Sequence, residues 1–173
     1  MEFNKKQLEH ARSRVRLSKF SALMGFQVVK LSSGTAVLTV TTEDRHRQIH
    51  NVMHGGVIAA LADTAAAVAA YTMVPPGTEI VTIELKINYL LQVSGGILTA
   101  EGRVLRAGRN FIVVECDVTR VDGSLAAKAL MTFGAAPGHA MATKPSAQKT
   151  RDLPENKRQK LKVARPIRTK LKR

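Results

Sequence analysis

The 173-residue chain has one cysteine, no tryptophan, few aromatic residues and no long apolar run. The single thiol, Cys116, excludes a disulfide framework within the chain. No apolar stretch approaches the roughly 18 residues typical of a membrane-spanning helix. The first twenty residues also lack the apolar core of a secretory signal. These absences favour a soluble cytoplasmic protein, and a hydrophobic content of 45% indicates one folded domain with a real core.

The formal net charge of +14 is unevenly distributed. From Met141 onward there are 12 lysine and arginine residues against 2 acidic ones, which leaves only +4 on residues 1–140. We therefore interpret residues 137–173 as a basic, disordered tail. Such a tail attracts polyanions, including RNA. It contains no aromatic residue for base stacking, so a solvated extension is favoured over nucleic-acid contact.

The remaining pattern predicts an α+β fold. Residues 1–25 form a helical segment that Gly25 closes, and residues 26–136 form the main domain. An alanine-rich run from Gly55 to about Met73 contains no proline and is apolar nearly all round, so a sheet must wrap this long helix. Five to six antiparallel strands are expected, within residues 26–31, 35–42, 79–91, 95–107, 111–120 and 125–135.

The strand at residues 79–91 alternates between apolar and polar residues. The pattern predicts two faces. One face carries Val81, Ile83, Leu85, Ile87 and Tyr89, and the other carries Thr82, Glu84, Lys86 and Asn88.

Asp63 is the one carboxylate within the alanine-rich helix. It lies eight residues beyond Gly55, too far to cap the helix N-terminus. Its helical neighbours are alanines, which offer space but no charge partner. An unpaired buried carboxylate is costly, so a solvent-facing orientation, a distant arginine or a catalytic role must explain it.

Gly55 and Gly56 stand where this helix begins, so backbone N–H groups face outward with no Cβ in the way. Together with the helix dipole they suit a carbonyl oxygen that gains negative charge. Donors at a helix start and a carboxylate on the following turns suit attack on an activated carbonyl. Asp63 either deprotonates water or attacks directly.

Residues 48–64, QIHNVMHGGVIAALADT, resemble the signature of hotdog-fold acyl-CoA thioesterases of the phenylacetate-pathway (PaaI-like) family. The resemblance covers about residues 20–136. It implies a hotdog fold, in which the sheet wraps one central helix, and hydrolysis of an acyl-CoA to the free acid and coenzyme A. It implies no metal or organic cofactor, since a thioester is already activated.

The resemblance also implies residue roles. The N–H of Gly55 polarises the thioester carbonyl, and Asp63 is the nucleophile or general base. Gln48 orients the substrate or water, and Thr82 matches a residue that positions the attacking water. Asn51 is close to the motif, although its spacing fits less well than that of Gln48.

Ala67 departs from relatives that carry threonine one turn beyond the acid, so that assisting role is absent here. In this family the sites form across a dimer interface, with the acid contributed by the neighbouring chain. The resemblance therefore implies a homodimer, often doubled to a tetramer.

Histidine, arginine and cysteine side chains elsewhere in the sequence suggest further roles. His46, His50 and His54 are spaced four apart, but the helix starts after them, which argues against a zinc site; His54 is expected to order the loop beside the substrate. Arg106 and Arg109 flank a turn and could meet coenzyme A phosphates. Cys116 lies on a core face as a structural thiol.

Two alternatives of other classes remain open. One is a noncatalytic acyl-CoA-binding hotdog domain whose tail contacts RNA or another polyanion, although a mere binder does not need the Asp63 carboxylate. The other is a hotdog dehydratase or hydratase, whose acid and histidine spacings differ from the pattern here.

Overall fold

The computed structural model describes residues 5–136. In chain order its elements are α1 (Lys5–Leu17), α2 (Lys19–Met24), β1 (Gln27–Ser32), β2 (Thr35–Thr41), a 3-10 turn (Asp44–His46), α3 (Gly55–Tyr71), β3 (Glu79–Tyr89), β4 (Ile97–Ala107), β5 (Phe111–Thr119) and β6 (Leu125–Ala136). The predicted basic tail lies outside the described residues. No helix within residues 5–136 has the length and apolar character needed to cross a membrane.

The N-terminal helical segment is two helices rather than one. Ser18 interrupts it, because its side chain accepts a hydrogen bond from the N–H of Ser21 and so caps α2. Serine side chains compete with the helix backbone in this way, which explains the break. Gly25 ends α2 in the left-handed region, with φ of 72°, as its position after the apolar stretch predicted.

The six strands form one antiparallel sheet in the order β1-β2-β4-β5-β6-β3. Helix α3 packs against the inner face of the sheet, which confirms the predicted plan of one central helix wrapped by strands. The inner face is built from alternating, fully buried side chains, among them Leu38, Leu98, Ile112, Val114, Val118, Met131 and Phe133. Strands β1 and β3 are the two edges.

The alanines of α3 allow an unusually close approach between helix and sheet. At Gly102 of β4, a Cβ would lie only 2.8–2.9 Å from backbone atoms of Ala65 and Ala66. Small residues on both sides therefore set the depth at which the helix sits in the sheet. This contact explains the glycine in the middle of β4 and the small residues at positions 65 and 66 of α3.

The predicted alternation of β3 is wrong across its first half, because a bulge at Ile83 shifts it by one residue. Thr82, predicted on the face opposite Tyr89, reaches helix α3, as Tyr89 also does. Val81 and Ile83 instead pack over Gly134 of β6 and remain 61% and 56% exposed. An extra residue in a strand reverses the inside–outside pattern beyond it.

Helix α1 is fastened to the C-terminal end of α3 by a compact polar cluster. Arg14 forms an ion pair with Glu79 and lies over the ring of Tyr71, with its guanidinium carbon 4.8 Å from the ring centroid. The Tyr71 hydroxyl donates to the same carboxylate, and His10 packs edge-on against the Tyr71 ring. These contacts place α1 far from the start of α3.

Candidate functional site

The N-terminus of α3 is capped by the residue before it. The Nδ1 atom of His54 accepts a hydrogen bond from the N–H of Gly56 over 2.9 Å. The ring therefore orders the loop, as expected from the sequence, and it occupies the Gly56 donor that was predicted to face the substrate. Within residues 5–136 no group accepts from the N–H of Gly55. Gly55 is thus the helix-start donor that remains available for a ligand.

A cavity of about 290 Å³ opens beside Gly55. Gln48 lines it, so the structure brings together two of the residues assigned from the sequence. The other lining residues are mainly apolar and come from the preceding loop, from the first turn of α3 and from the segment after β3: Val52, Met53, Ile58, Tyr89, Leu90, Leu91, Gln92 and Val93. A largely apolar cavity with a few polar groups is the usual form of a small-molecule site.

Asn51 shapes the loop that carries Gln48. It adopts a left-handed backbone with φ of 60°, a conformation that asparagine tolerates better than most residues. Its N–H donates to the Gln48 carbonyl, while its own carbonyl accepts from Arg47. Asn51 does not line the cavity, so the structure places it as part of the turn rather than beside a ligand there.

Asp63 is half-buried on the third turn of α3. The hydroxyl of Thr82 donates to its Oδ1 over 2.9 Å, so these two predicted residues also meet. No cation within residues 5–136 forms an ion pair with this carboxylate. Burial raises the pKa of Asp63, and the hydrogen bond from Thr82 opposes this with a smaller lowering. A carboxyl with a raised pKa and no charge partner is typical of a reactive group.

Within one chain, the Asp63–Thr82 pair is separated from Gln48 and Gly55 at the cavity. Eight residues of helix place Asp63 about 12 Å along the axis from Gly55, and Asp63 does not line the cavity. A nucleophile and an oxyanion donor must approach the same carbonyl group within about 3–3.5 Å. Asp63 and Gly55 of one chain therefore do not serve the same carbonyl.

Arg106 and Arg109 lie at the opposite end of α3 from the cavity. Strand β4 crosses the middle of the helix at Gly102. Two residues further on, the N–H of Val104 donates to the carbonyl of Gly34. The N–H of Gly34 in turn donates to the hydroxyl of Thr72, just beyond the end of the helix. The turn that follows β4 therefore extends past the C-terminal end of α3. The structure does not bring these arginines to the cavity of their own chain.

The remaining nucleophilic and metal-ligating side chains offer no second site among the described residues. Cys116 is fully buried, as predicted, and burial raises the pKa of its thiol to about 12, so the reactive thiolate is scarce. His46 is buried while His50 is exposed. Between residues 5 and 136, no three histidine, cysteine, aspartate or glutamate side chains gather as a metal site.

Sequence reasoning missed Tyr89 and the residues after it. The ring of Tyr89 lies against Gly55, and its hydroxyl donates to the Gly55 carbonyl over 3.1 Å. These residues are 34 positions apart, and the contact joins the end of β3 to the start of α3. The apolar run Tyr89–Leu91 at the end of the alternating strand was the available signal. An ordinary strand end without a ligand site has the same pattern.

Comparison with known proteins agrees with this architecture. The model of the thioesterase superfamily matches residues 50–127. A protein of Saccharolobus solfataricus named as an esterase is 39% identical over 104 residues, which cover 60% of this chain and 74% of that protein. The 1,4-dihydroxy-2-naphthoyl-CoA hydrolase of Listeria monocytogenes is 27% identical over 96 residues, covering 56% of this chain and 78% of the relative.

A solved structure supports the fold. The PaaI protein of the E. coli phenylacetic acid degradation operon superimposes with a TM-score of 0.73 at 23% identity, over 79% of this chain and 98% of that chain. The chain belongs to the thioesterase superfamily and has the hotdog fold. Thioester hydrolysis is the chemistry of that superfamily, and the predicted resemblance to hotdog-fold thioesterases is confirmed.

Proposed function

We propose that the protein hydrolyses an acyl-CoA thioester to the free acid and coenzyme A. The observation that carries the proposal is Asp63, a half-buried carboxylate that has a raised pKa and a single hydroxyl partner. A purely structural carboxylate at this depth would be expected to have a cationic partner. The relative named as a naphthoyl-CoA hydrolase supports a coenzyme A thioester as the substrate class.

In the reaction, the N–H of Gly55 donates to the thioester carbonyl oxygen, while Gln48 helps to orient the substrate. Asp63 acts as general base or as nucleophile. As a base it takes a proton from water, and the hydroxide oxygen adds to the carbonyl carbon. The electron pair of the C=O bond moves to the oxygen held by Gly55. Collapse breaks the carbon–sulfur bond, and the thiolate takes the proton from Asp63.

As a nucleophile, Asp63 instead adds to the carbonyl carbon through a carboxylate oxygen and expels the coenzyme A thiolate. Water then hydrolyses the mixed anhydride to the free acid and regenerates the carboxylate, and the proton that this step releases goes to the coenzyme A thiolate. In both routes the hydroxyl of Thr82 holds one oxygen of Asp63 and leaves the other free to react.

The proposed site is shared between two copies of the chain. Asp63 is about 12 Å along the helix from Gly55, so the acid must come from a neighbour. Strand β3 is an edge strand of 11 residues with exposed apolar side chains. Thr82 lies near its start and Tyr89 at its end, beside the cavity. Antiparallel pairing of two β3 edges would therefore bring the acid of one copy to the cavity of the other.

The test is release of free thiol from a panel of acyl-CoAs running from acetyl to palmitoyl and including phenylacetyl and benzoyl. Wild type is compared with Asp63→Asn and with Asp122→Asn, an exposed aspartate in the β5–β6 turn. We expect turnover that falls about 100-fold or more in Asp63→Asn alone, as removal of a catalytic carboxylate predicts.

Size-exclusion chromatography shows whether each variant retains the assembly of the wild type. A wild type that binds coenzyme A but is inert on the whole panel would contradict the proposal and favour the acyl-CoA-binding alternative. Hydration of an enoyl-CoA without hydrolysis would instead favour a hydratase.

A further inference from the structure

The aromatic ring of Tyr89 occupies the space beside Gly55 that a side chain would otherwise fill. A Cβ on Gly55 would lie 3.3 Å from Cζ, 3.4 Å from Cε1 and 3.5 Å from the hydroxyl oxygen of Tyr89. The hydroxyl donates to the carbonyl of Gly55 over 3.1 Å. Tyr89 therefore lies where a side chain on Gly55 would point, and it bonds to the carbonyl of the residue whose N–H is proposed to bind the substrate.

Tyr89 also forms part of the cavity wall. Among the described lining residues it has the only aromatic ring, and it is 51% exposed. Apart from Gln48 and Gln92, the other side chains of the wall are flexible or branched aliphatic groups, such as Met53, Ile58 and Leu90. A rigid ring beside the helix start is the part of this wall that adapts least to a bulky group.

We propose that Tyr89 has two roles at the site: its hydroxyl positions the Gly55 peptide, and its ring selects the acyl group next to the thioester carbonyl. This inference rests on the proposed function. The hydroxyl fixes the orientation of the first turn of α3, and therefore the direction of the Gly55 N–H. The ring admits linear or flat acyl groups and excludes those branched at the carbon beside the carbonyl.

The two roles are separated by two substitutions. Tyr89→Phe keeps the ring and removes the hydroxyl, so we expect kcat to fall about five- to tenfold on every substrate with KM nearly unchanged, the size expected for one hydrogen bond. Tyr89→Leu also removes the ring. We expect the kcat/KM ratio of isobutyryl-CoA to butyryl-CoA to rise about tenfold or more, since a space filled by a ring becomes open.

The chain supplies a control for each change. Tyr71→Phe removes the other tyrosine hydroxyl, which bonds to Glu79 at the far end of α3. Phe111→Leu removes an exposed ring at the start of β5. Neither control is expected to alter kcat by more than twofold or to change the substrate ratio.

The Tyr89 inference and the proposed hydrolase function fail in different ways. An active wild type whose kcat and substrate ratio respond to the Tyr89 variants no more than to the controls would overturn this inference and leave the proposed function standing. If Tyr89→Phe changes KM but does not lower kcat, the positioning role is overturned. A wild type inert on the whole panel would overturn the inference together with the proposed function.

Discussion

The hydroxyl of Thr82 donates to Oδ1 of Asp63 over 2.9 Å, and this contact joins the central helix to the edge strand of the sheet. Two opposing effects act on the carboxyl: burial raises its pKa, and the hydrogen bond lowers it by less. The hydrogen bond favours the charged form that a general base or nucleophile requires. Thr82 therefore bears on the charge state of Asp63 as well as on its orientation.

This balance predicts a pH dependence. Hydrolysis requires ionised Asp63, so kcat/KM should fall on the acid side with an apparent pKa above that of an ordinary aspartate. Thr82→Val removes the donor that stabilises the carboxylate, and we expect its acid limb to move to higher pH. Thr82→Ser keeps a hydroxyl and should retain the wild-type profile. An acid limb that is unchanged or moves to lower pH in Thr82→Val would contradict this account.

The same pKa shift predicts that Asp63 destabilises the fold at neutral pH. Because the pKa of Asp63 is raised in the folded chain, its stabilising contribution is fully present only below the pKa of the unfolded chain. That contribution is lost as the pH rises through the folded-state pKa. We expect Asp63→Asn to have a higher urea midpoint than wild type at pH 7, with the difference shrinking towards pH 4. A lower midpoint at pH 7 would indicate that the carboxylate is a structural anchor.

The sequence predicted the parts of the fold that depend on local patterning. The uninterrupted alanine-rich run identified α3, and Gly25 marked the end of the N-terminal helices, because both signals are carried by neighbouring residues. The motif around Gly55 and Asp63 located the two halves of the candidate site. The family resemblance, rather than spacing, suggested that the halves belong to different chains.

The missed features depend on contacts between distant segments. The bulge at Ile83 arises from the pairing of β3 with β6, and no local pattern marks it. Because of that bulge, Thr82 and Tyr89 both reach α3, although seven positions separate them. The placement of Arg106 depends likewise on where β4 crosses the helix, which alternation along a single strand does not show.

The close approach of α3 to the sheet at Gly102 predicts that a larger residue there destabilises the fold. A methyl group at this position would lie 2.8–2.9 Å from the backbone of α3, and a backbone yields less than a flexible side chain. We expect Gly102→Ala to lower the free energy of unfolding by about 1–3 kcal/mol, as overpacking does. Gly95→Ala, where a Cβ meets nothing within 4 Å, should change it by less than about 0.5 kcal/mol. Equal urea midpoints for the two variants would contradict the close approach.

The ion pair between Arg14 and Glu79 predicts how α1 is held. Both side chains are about four-fifths buried, so Glu79→Gln leaves a largely buried guanidinium without its carboxylate. We expect a loss of about 1–3 kcal/mol and faster amide hydrogen exchange in α1. Glu9→Gln breaks an exposed pair with Arg16 and should cost less than about 1 kcal/mol. Similar exchange in α1 for both variants would show that apolar packing alone holds the helix.

The bulge in β3 also predicts the register of the proposed dimer. The shared site requires Thr82 of one copy to face Tyr89 of the other, since these residues mark the acid and the cavity. Directly opposed residues of an antiparallel pair point to the same face. The bulged Ile83 is omitted from the count inward from that pair. Lys86 of one copy then lies opposite Lys86 of the other copy, on the two-fold axis.

A cysteine scan tests this register, because the native Cys116 is fully buried and contributes little background. Two cysteines form a disulfide when their Cα atoms lie about 5.5–6 Å apart, so we expect Lys86→Cys to form a covalent dimer under mild oxidation. Val29→Cys, on the opposite edge strand β1, should remain monomeric on a denaturing gel. A dimer in solution that cross-links through Val29→Cys and not through Lys86→Cys would place the interface on β1. That arrangement would not bring Asp63 of one copy to the Gly55 cavity of the other, and the shared site would then be wrong.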